Sequence, residues 1–360
     1  MAGQSVFHIH EPGLKNRMEL LDFLRGIGML LVLLHHSDLP GSSGQWILAF
    51  HMPFMFLLSG YTMSLRPHTQ SFPDFFRNRF CRLVIPYFLF EGLNFTVWSV
   101  SLYLQGGWQD VSEALTAILT CLNTEGYTGY YGRLWFWPCM FVSDFYFFCI
   151  RKAAPKGSQA GRLFLLMMIP VMLGLSWYSC RHLPFRLYFT ADTAFLATAF
   201  LLIGYLLGRQ ITWLIQKKHL AADMALLTVS LLVMRRTVLS GKASCMMFIN
   251  NYGHYGYTLC AAISGILAML ILTKYLYSIL RKTDIPKSVV LWYSYHSLET
   301  FPVHLSIKMF IYQMLPLSFR VWYILLPAMF LLNIPLVNLI TRYCPFLLGK
   351  FPSFRKKKAA

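Results

Sequence analysis

The sequence predicts an all-α membrane protein, a polytopic bundle of about ten transmembrane helices with both termini in the cytoplasm. Of its 360 residues, 56% are hydrophobic and only 13% are charged, whereas about a quarter of the residues in a soluble domain are charged. Apolar runs recur along the whole chain, and most approach the length that crosses a bilayer. The basic residues cluster between these runs, as membrane orientation requires.

Ten apolar segments define the predicted helices. We expect a cytoplasmic tail over 1–17, a transmembrane domain over 18–342 and a basic cytoplasmic tail over 343–360. Arg235 and Arg236 interrupt the seventh segment. The ten segments run approximately over 20–37, 44–64, 82–104, 131–150, 163–180, 192–208, 220–239, 255–273, 289–315 and 321–341.

The formal net charge of +18 does not indicate a nucleic-acid ligand, because of where the basic residues lie. If the N-terminus is inside and ten helices follow, the inner segments hold twenty-three lysines and arginines and the outer segments hold seven. Positively charged loops stay on the cytoplasmic side of a membrane. This asymmetry predicts that both ends of the chain lie inside.

The eight cysteines form no CxxC pair and no zinc-like spacing, so we interpret them as small apolar residues packed between helices. The sequence contains no P-loop, GxGxxG, HExxH or GxSxG motif. These motifs would have indicated nucleotide, zinc or hydrolase chemistry. We therefore expect no metal site.

The first predicted helix carries Asp22, Arg25 and His36, with His35 beside the last. Eleven residues make about three helical turns plus 20°, so Arg25 and His36 share one face about 16 Å apart. A charged group in a membrane helix indicates function. Alternatively, Arg25 and His36 reach the inner and outer headgroups by snorkelling. Both interpretations remain open from this helix alone.

The second helix begins with His51 after a short outer loop, so His51 should lie near His36. One histidine at a membrane interface is usually only a hydrogen-bonded residue. Two or three histidines at one depth are candidates for proton transfer, because imidazole titrates near neutral pH.

The third helix is entered through Arg79 and Arg82, which are three residues apart and share a face. We expect them at a helix N-terminus, which favours anions. Paired guanidinium groups in that place suit a phosphate or pyrophosphate. The alternative is an anchor that contacts anionic lipid, which is the interpretation we favour for Arg77.

Four more polar residues fall inside predicted helices. Each can form a hydrogen bond that holds two helices together, and for Glu91 and Glu299 we favour that structural role. The four residues are Glu91, Asp192, Glu299 and His304.

Several short motifs follow one another in a fixed order from about residue 18 to 340. Arg25 followed by His36 resembles the Arg-x10-His signature of membrane acyltransferase family 3. The stretch 50–61, from Phe50 to Tyr61, is similar to the second-helix motif of the family's fucose O-acetylase-like branch. The further motifs that resemble the family are Arg79-Phe80-Cys81-Arg82 with Pro86-Tyr87, Leu134-Trp135-Phe136, Asp192-Thr193-Ala194 with Gly204-Tyr205, and His304.

The resemblance implies transfer of an acetyl group from acetyl-CoA inside the cell to a sugar hydroxyl at or beyond the outer face. It implies that His36 is catalytic, with His51 beside it, and that Arg25, Arg79 and Arg82 serve the acyl donor. The chain departs from the family in having His35 next to His36, although the spacing selects His36. The expected partners are acyl-CoA, a carbohydrate acceptor and the lipids of a bacterial plasma membrane.

We expect the acceptor on the outer side, near the 105–133 loop and the start of the sixth helix. Aromatic faces stack on sugars and their polar edges bond to hydroxyl groups. An aromatic belt at the membrane surface is the competing interpretation, which we favour for Trp108. The candidate acceptor residues are Tyr130, Tyr131, Trp135, Asp192 and His304.

Two other functions are compatible with these residues. A secondary transporter or exporter also has ten or more helices with intramembrane His, Arg and Asp, although this sequence has no convincing internal repeat. The third possibility is a non-catalytic scaffold for polysaccharide assembly. Acetyl-CoA hydrolysis or transfer by the purified protein separates an enzyme from both.

Overall fold

Inside a bilayer each segment has to satisfy its own backbone hydrogen bonds, and this chain does so with helices. The computed structural model describes residues 15–65, 70–104, 111–121 and 134–350. Over these residues the chain forms fifteen α-helices, a few short 3₁₀ and π turns, and one two-stranded antiparallel hairpin. The prediction of an essentially all-α fold is therefore confirmed.

The helices follow one another with short connections. The first eight are α1 (Lys15–His36), α2 (Ser43–Leu48), α3 (His51–Ser64), α4 (Phe72–Arg79), α5 (Ile85–Leu104), α6 (Val111–Thr120), α7 (Phe136–Ala153) and α8 (Gln159–His182). The remainder are α9 (Thr193–Leu206), α10 (Gly208–Gln216), α11 (Leu220–Leu239), the strands β1 (Ala243–Met246) and β2 (Asn251–Gly253), α12 (Tyr255–Leu280), α13 (Asp284–Tyr295), α14 (Ser297–Met314) and α15 (Trp322–Tyr343).

All ten predicted segments overlap helices, but only some of these helices are apolar throughout. In the described part of the chain, the helical runs long and apolar enough to cross a membrane number six. The other predicted segments overlap α1, α7, α11 and α13–α14, and the count of ten spans and the side of each terminus stay predictions. The six runs are Ser43–Ser64, Phe72–Leu104, Gln159–His182, Tyr188–Leu206, Tyr255–Leu280 and Trp322–Tyr343.

The seventh predicted segment, 220–239, coincides with helix α11, although Arg235 and Arg236 interrupt its apolar run. Helix α11 continues through Arg235 and Arg236 to Leu239. Both arginines are exposed in the last turn and a half of the helix. Long basic side chains near a helix end can reach polar surroundings while their methylene groups stay on apolar ones, so the helix need not break there.

The helices divide into central and peripheral ones. The most apolar windows of α3 and α9 are 67% buried inside the protein, whereas those of α8 and α15 are only 22% buried. Helix α8 exposes Leu163, Leu166, Met167 and Val171, which is how a helix presents apolar surface to lipid. Helix α1 is central in spite of its charged residues, because it packs against α3, α12, α13 and α14.

Two glycines allow α3 and α9 to pack with their backbones in contact. A Cβ atom on Gly60 would lie 1.9 Å from the carbonyl oxygen of Leu201, and one on Gly204 would lie 2.0 Å from that of Leu57. Small residues at helix interfaces permit this close approach, on which membrane helices depend for van der Waals packing. Close packing of α3 and α9 therefore explains why two positions of the short sequence motifs, Gly60 and Gly204, are glycines.

Replacing Gly204 by alanine should therefore destabilise the bundle. The methyl group would force the two backbones apart, and overpacking of this kind costs about 1–3 kcal/mol. We expect a lower midpoint of thermal unfolding for the purified protein in detergent. Gly174→Ala on α8 is the matched control, because no heavy atom lies within 4 Å of the added Cβ. Equal midpoints for the two variants would contradict this account of the interface.

The expected position of Arg79 and Arg82 at a helix N-terminus is wrong. Helices α4 and α5 join through a π turn over Phe80–Val84 into one run from Phe72 to Leu104. This run begins at Ser71, whose hydroxyl caps it by accepting a hydrogen bond from the backbone N–H of Asp74. Both arginines lie more than two turns beyond the cap. An anion bound at Arg79 and Arg82 would therefore contact side chains and not the free backbone N–H groups of a helix N-terminus.

Candidate active site

A cavity of about 2280 Å³ opens between α1, α3, α7 and the π turn. Among the described residues, eight basic ones line it, against two acidic ones, Asp22 and Asp144. The cavity is therefore strongly positive and suited to an anionic ligand. Its basic lining residues are Arg25, Arg79, Arg82, Arg151, Lys152, Lys156, Arg162 and Arg209.

One face of α1 forms a wall of this cavity. Its lining residues Asp22, Arg25, Met29 and Val32 follow at alternating steps of three and four, which is the spacing of one helical stripe. The next member of that stripe is His36. The fourteen residues from Asp22 to His36 span about 21 Å along the axis. The predicted common face of Arg25 and His36 thus continues the stripe that lines the cavity as far as Val32.

The end of the cavity towards His36 is apolar. Met29, Val32, Met52, Phe136 and Phe301 line it. Val32 stands one helical turn before His36, and Met52 follows His51 directly. The Phe301 ring lies 5.6 Å from the ring of His304, centroid to centroid. The cavity thus changes from cationic to apolar in the direction of His36, which is not itself among the described lining residues.

Four histidine rings lie in sequence at this end. The centroid distances are 4.8 Å from His51 to His35, 5.3 Å from His35 to His36 and 5.0 Å from His36 to His304. The rings come from the end of α1, the start of α3 and the middle of α14. The short helix α2 returns the chain from α1 to α3, which brings His51 against His35. His51 and His36 therefore belong to one cluster, with His35 between them.

Backbone carbonyls fix the tautomer of two of these rings. The Nδ1 atom of His51 lies 2.8 Å from the oxygen of Ile47, and that of His304 lies 3.1 Å from the oxygen of Thr300. A carbonyl oxygen can only accept, so each Nδ1 carries the proton and each Nε2 keeps its lone pair. Both Nε2 atoms are thus potential proton acceptors.

Lys308 fastens the end of α1 to α14. Its Nζ donates to the backbone oxygen of His36 at 2.9 Å and to Oδ1 of Asp38 at 2.6 Å. Tyr312 donates to the other oxygen of Asp38. Lys308 follows His304 by four residues, so both side chains extend from one face of α14. The positions of His36 and His304 are therefore fixed relative to each other.

Arg25 is held inside the bundle. It pairs with Asp22 at 3.1 Å and donates to the hydroxyl of Thr62 on α3. Tyr295 donates to the second oxygen of Asp22 at 3.4 Å. These partners fix the guanidinium at the cavity wall, as the functional interpretation requires and snorkelling to lipid does not. The role of Arg25 in donor binding stays a prediction.

Arg79 forms a contact with a buried carboxylate. The Nε atom of Arg79 lies 3.1 Å from Oδ2 of Asp144, whose side chain is 1% exposed. This contact is an ion pair by distance but not an aligned hydrogen bond, because neither oxygen of Asp144 accepts a hydrogen bond within the described part of the chain. Arg82 lines the same cavity. The ion pair between Arg79 and Asp144 anchors the start of the π turn to α7.

The family follows from a comparison with known proteins. A family model described as an acyltransferase domain matches residues 19–342, which is most of the chain. This chain belongs to acyltransferase family 3. No curated protein and no solved structure matches it significantly. With its apolar helices, it is a membrane acyltransferase.

Sequence analysis missed several residues of the acyltransferase site. Asp144 lies inside the fourth predicted segment, and its charge was the available signal. Lys308 lies within the ninth predicted segment, but its partner Asp38 follows α1, 270 positions away in sequence. Arg151 and Arg209 belong to the basic inner segments, and nothing in the sequence indicates that both line the cavity.

Of the predicted acceptor residues that the structure describes, only His304 has a ring in the histidine cluster. Asp192 is 1% exposed; it pairs with Arg186 and caps α9 through the N–H of Thr193 at 2.8 Å. Trp135 is buried and contacts the Phe136 ring. Tyr130 and Tyr131 lie outside the described residues. Asp192 therefore has a structural role, as the cap of α9 and the partner of Arg186, independent of any role in acceptor binding.

The predicted structural role of Glu91 and Glu299 agrees with their contacts. Glu91 is buried and accepts a hydrogen bond at 2.6 Å from the backbone N–H of Leu134. Glu299 pairs with Lys350 at 3.1 Å. Neither carboxylate lines the cavity. Both connect segments that are distant in sequence, as expected for residues that hold a bundle together.

Proposed function

We propose that this membrane acyltransferase moves an acetyl group from cytoplasmic acetyl-CoA to a sugar hydroxyl of an exported or cell-surface glycan, as in the fucose O-acetylase-like branch. The observation that supports this most is the stripe on α1. It connects a cationic cavity with a histidine cluster about 21 Å away along one helix face. A donor with an anionic head and a reactive end needs such a site.

The nucleotide of acetyl-CoA suits the cationic part of the cavity. Its phosphates would bind Arg79 and Arg82, which offer guanidinium groups from one side, while Arg25 guides the pantetheine arm. Charge-assisted contacts with phosphate are short and strong. The arm is comparable in length to the Arg25–His36 spacing, so the thioester would lie near His36. The apolar lining at that end suits an acetyl group.

His36 is the proposed general base. Its imidazole takes the proton of the acceptor hydroxyl while the oxygen attacks the thioester carbon. The carbon–oxygen bond forms, the carbon–sulfur bond breaks, and His36 returns the proton to the sulfur of the departing CoA. His51, which belongs to the same histidine cluster, assists this proton transfer by His36. Direct transfer needs no further reactant, whereas an acyl-histidine intermediate would add a second acyl transfer.

His36→Ala should abolish acetylation while the protein still inserts and folds. Loss of a general base costs about 10²–10⁴ in rate. The measurement is the O-acetyl content of the surface glycan by mass spectrometry, in cells that produce the wild type, the variant or neither. His35→Ala, which changes the neighbouring ring, should keep most of the activity.

Two results would contradict this assignment. The first is near-normal acetylation by His36→Ala with an inactive His35→Ala. The second concerns the function itself: substrate movement that depends on an ion gradient and not on CoA would identify a transporter. Acetyl-CoA turnover by the purified wild-type protein would exclude a non-catalytic scaffold.

Arg79→Ala and Arg82→Ala should raise the KM for acetyl-CoA about tenfold or more, because a charge-assisted phosphate contact contributes roughly 1.5–3 kcal/mol. The KM for the acceptor should stay unchanged. The defect should shrink with acetyl donors that lack the nucleotide. Arg77→Ala is the matched control, since Arg77 lies on α4, is exposed and does not line the cavity. If Arg79→Ala and Arg82→Ala keep the wild-type KM for acetyl-CoA, as the Arg77→Ala control should, then Arg79 and Arg82 do not bind the donor and only contact lipid at the membrane surface.

The acceptor is proposed to be a carbohydrate that approaches from the outer side. Tyr130→Ala and Tyr131→Ala should raise the acceptor KM and leave acetyl-CoA binding intact, because stacking on a sugar contributes only to acceptor recognition. Trp108→Ala is the control for an aromatic belt. Asp192→Asn also removes the ion pair with Arg186, so its thermal stability has to be compared before its kinetics. Normal acetylation by both tyrosine variants would move the acceptor site elsewhere.

A further inference from the structure

His304 presents a buried proton acceptor next to the proposed base. The residue is 0% exposed. Its Nδ1 proton is donated to the carbonyl of Thr300, which leaves a lone pair on Nε2. Among the described residues, no donor bonds to that Nε2 atom. Buried polar atoms are rarely left without a partner, so this nitrogen calls for an explanation.

The ring of His36 is placed to supply the missing donor. Its centroid lies 5.0 Å from that of His304, and the two ring planes are inclined by 52°. Lys308 holds the backbone of His36 against α14 one turn beyond His304. A rotation of the His36 ring is then enough to form an N–H···N bond. Catalytic hydrogen bonds of unliganded enzymes often shorten only when substrate binds.

We infer that His304 is a positioning residue for His36. Its Nε2 accepts a hydrogen bond from one ring N–H of His36, which fixes the tautomer and leaves the other His36 nitrogen free to take the acceptor's proton. During transfer His36 is doubly protonated, and the bond to His304 stabilises that cation. His304 itself neither gains nor loses a proton. A base oriented by a third group is the arrangement of many nucleophilic enzymes. The inference rests on the proposed function.

The surroundings of the pair favour this role over contact with the acceptor. His36 is partly exposed whereas His304 is completely buried, so a sugar reaches His36 first. Lys308 is a cation and cannot accept a proton from His36. The carboxylate of Asp38 already accepts from Lys308 and Tyr312. The remaining titratable neighbours are His35, whose ring centroid lies 5.3 Å from that of His36, and His51, whose ring contacts that of His35 at 4.8 Å.

The kinetic experiment uses the purified full-length protein with acetyl-CoA and a methyl fucoside as the probe acceptor. His304→Leu should lower kcat about a hundredfold without changing the KM for acetyl-CoA. His304→Gln should recover about a tenth of wild-type kcat, because its amide oxygen accepts the same hydrogen bond but holds it less rigidly. Ser306→Ala is the control on α14: it removes a buried bond to Asn94, and its kcat should stay unchanged.

A second measurement does not require turnover. In ¹⁵N-histidine NMR spectra of the full chain in detergent, we expect His36 to be one tautomer in the wild type and in Ser306→Ala, and a mixture of both in His304→Leu. A single tautomer in His304→Leu would overturn the inference. A kcat within about threefold of wild type in that variant, or a loss confined to the acceptor KM, would overturn it as well. A wild type that shows no turnover but the expected tautomers would refute only the proposed function.

Discussion

A charged side chain in an apolar bundle has to meet a partner or face a polar cavity, and this constraint organises the protein. Among the described residues, three ion pairs that include a side chain no more than 10% exposed join elements that are distant in sequence, because an isolated charge between apolar helices would be costly. Of the described cations, eight line the large cavity together, Arg79 among them. The packing of the helices and the position of the site therefore both follow from the cost of an isolated charge. The three pairs are Arg79–Asp144, Lys274–Asp223 and Lys308–Asp38.

Helix α1 shows what this constraint does to a helix. Asp22 and Arg25 make α1 less apolar than an ordinary membrane span, yet α1 lies at the centre of the bundle. The polar stripe faces the cavity, while Leu21, Phe23 and Leu24 pack against neighbouring helices. The residues that make α1 a poor lipid-facing helix are therefore those that form the site. The same holds for Asp144 on α7.

The sequence predicted what depends on local periodicity and left out what depends on contacts between distant elements. The apolar runs located the helices, and the eleven-residue spacing placed Arg25 and His36 on one face. The start of the run that carries Arg79 was misjudged, because Ser71 caps it upstream of the apolar segment. Periodicity also cannot predict the contact between Lys308 and Asp38, because this contact forms only when α14 packs beside the end of α1.

The order of surfaces along the cavity bears on the choice between transfer and transport. A polar solute on its way through the bundle would have to leave the arginines and cross the apolar part lined by Val32, Met52 and Phe301 before it met the histidines. That passage is costly for a group that loses its hydrogen bonds to water. The proposed donor would carry only a thioester on a flexible arm into this part, and a thioester loses few hydrogen bonds there. In the proposed reaction the apolar part would also keep water from the thioester and so protect it from hydrolysis before the acceptor binds.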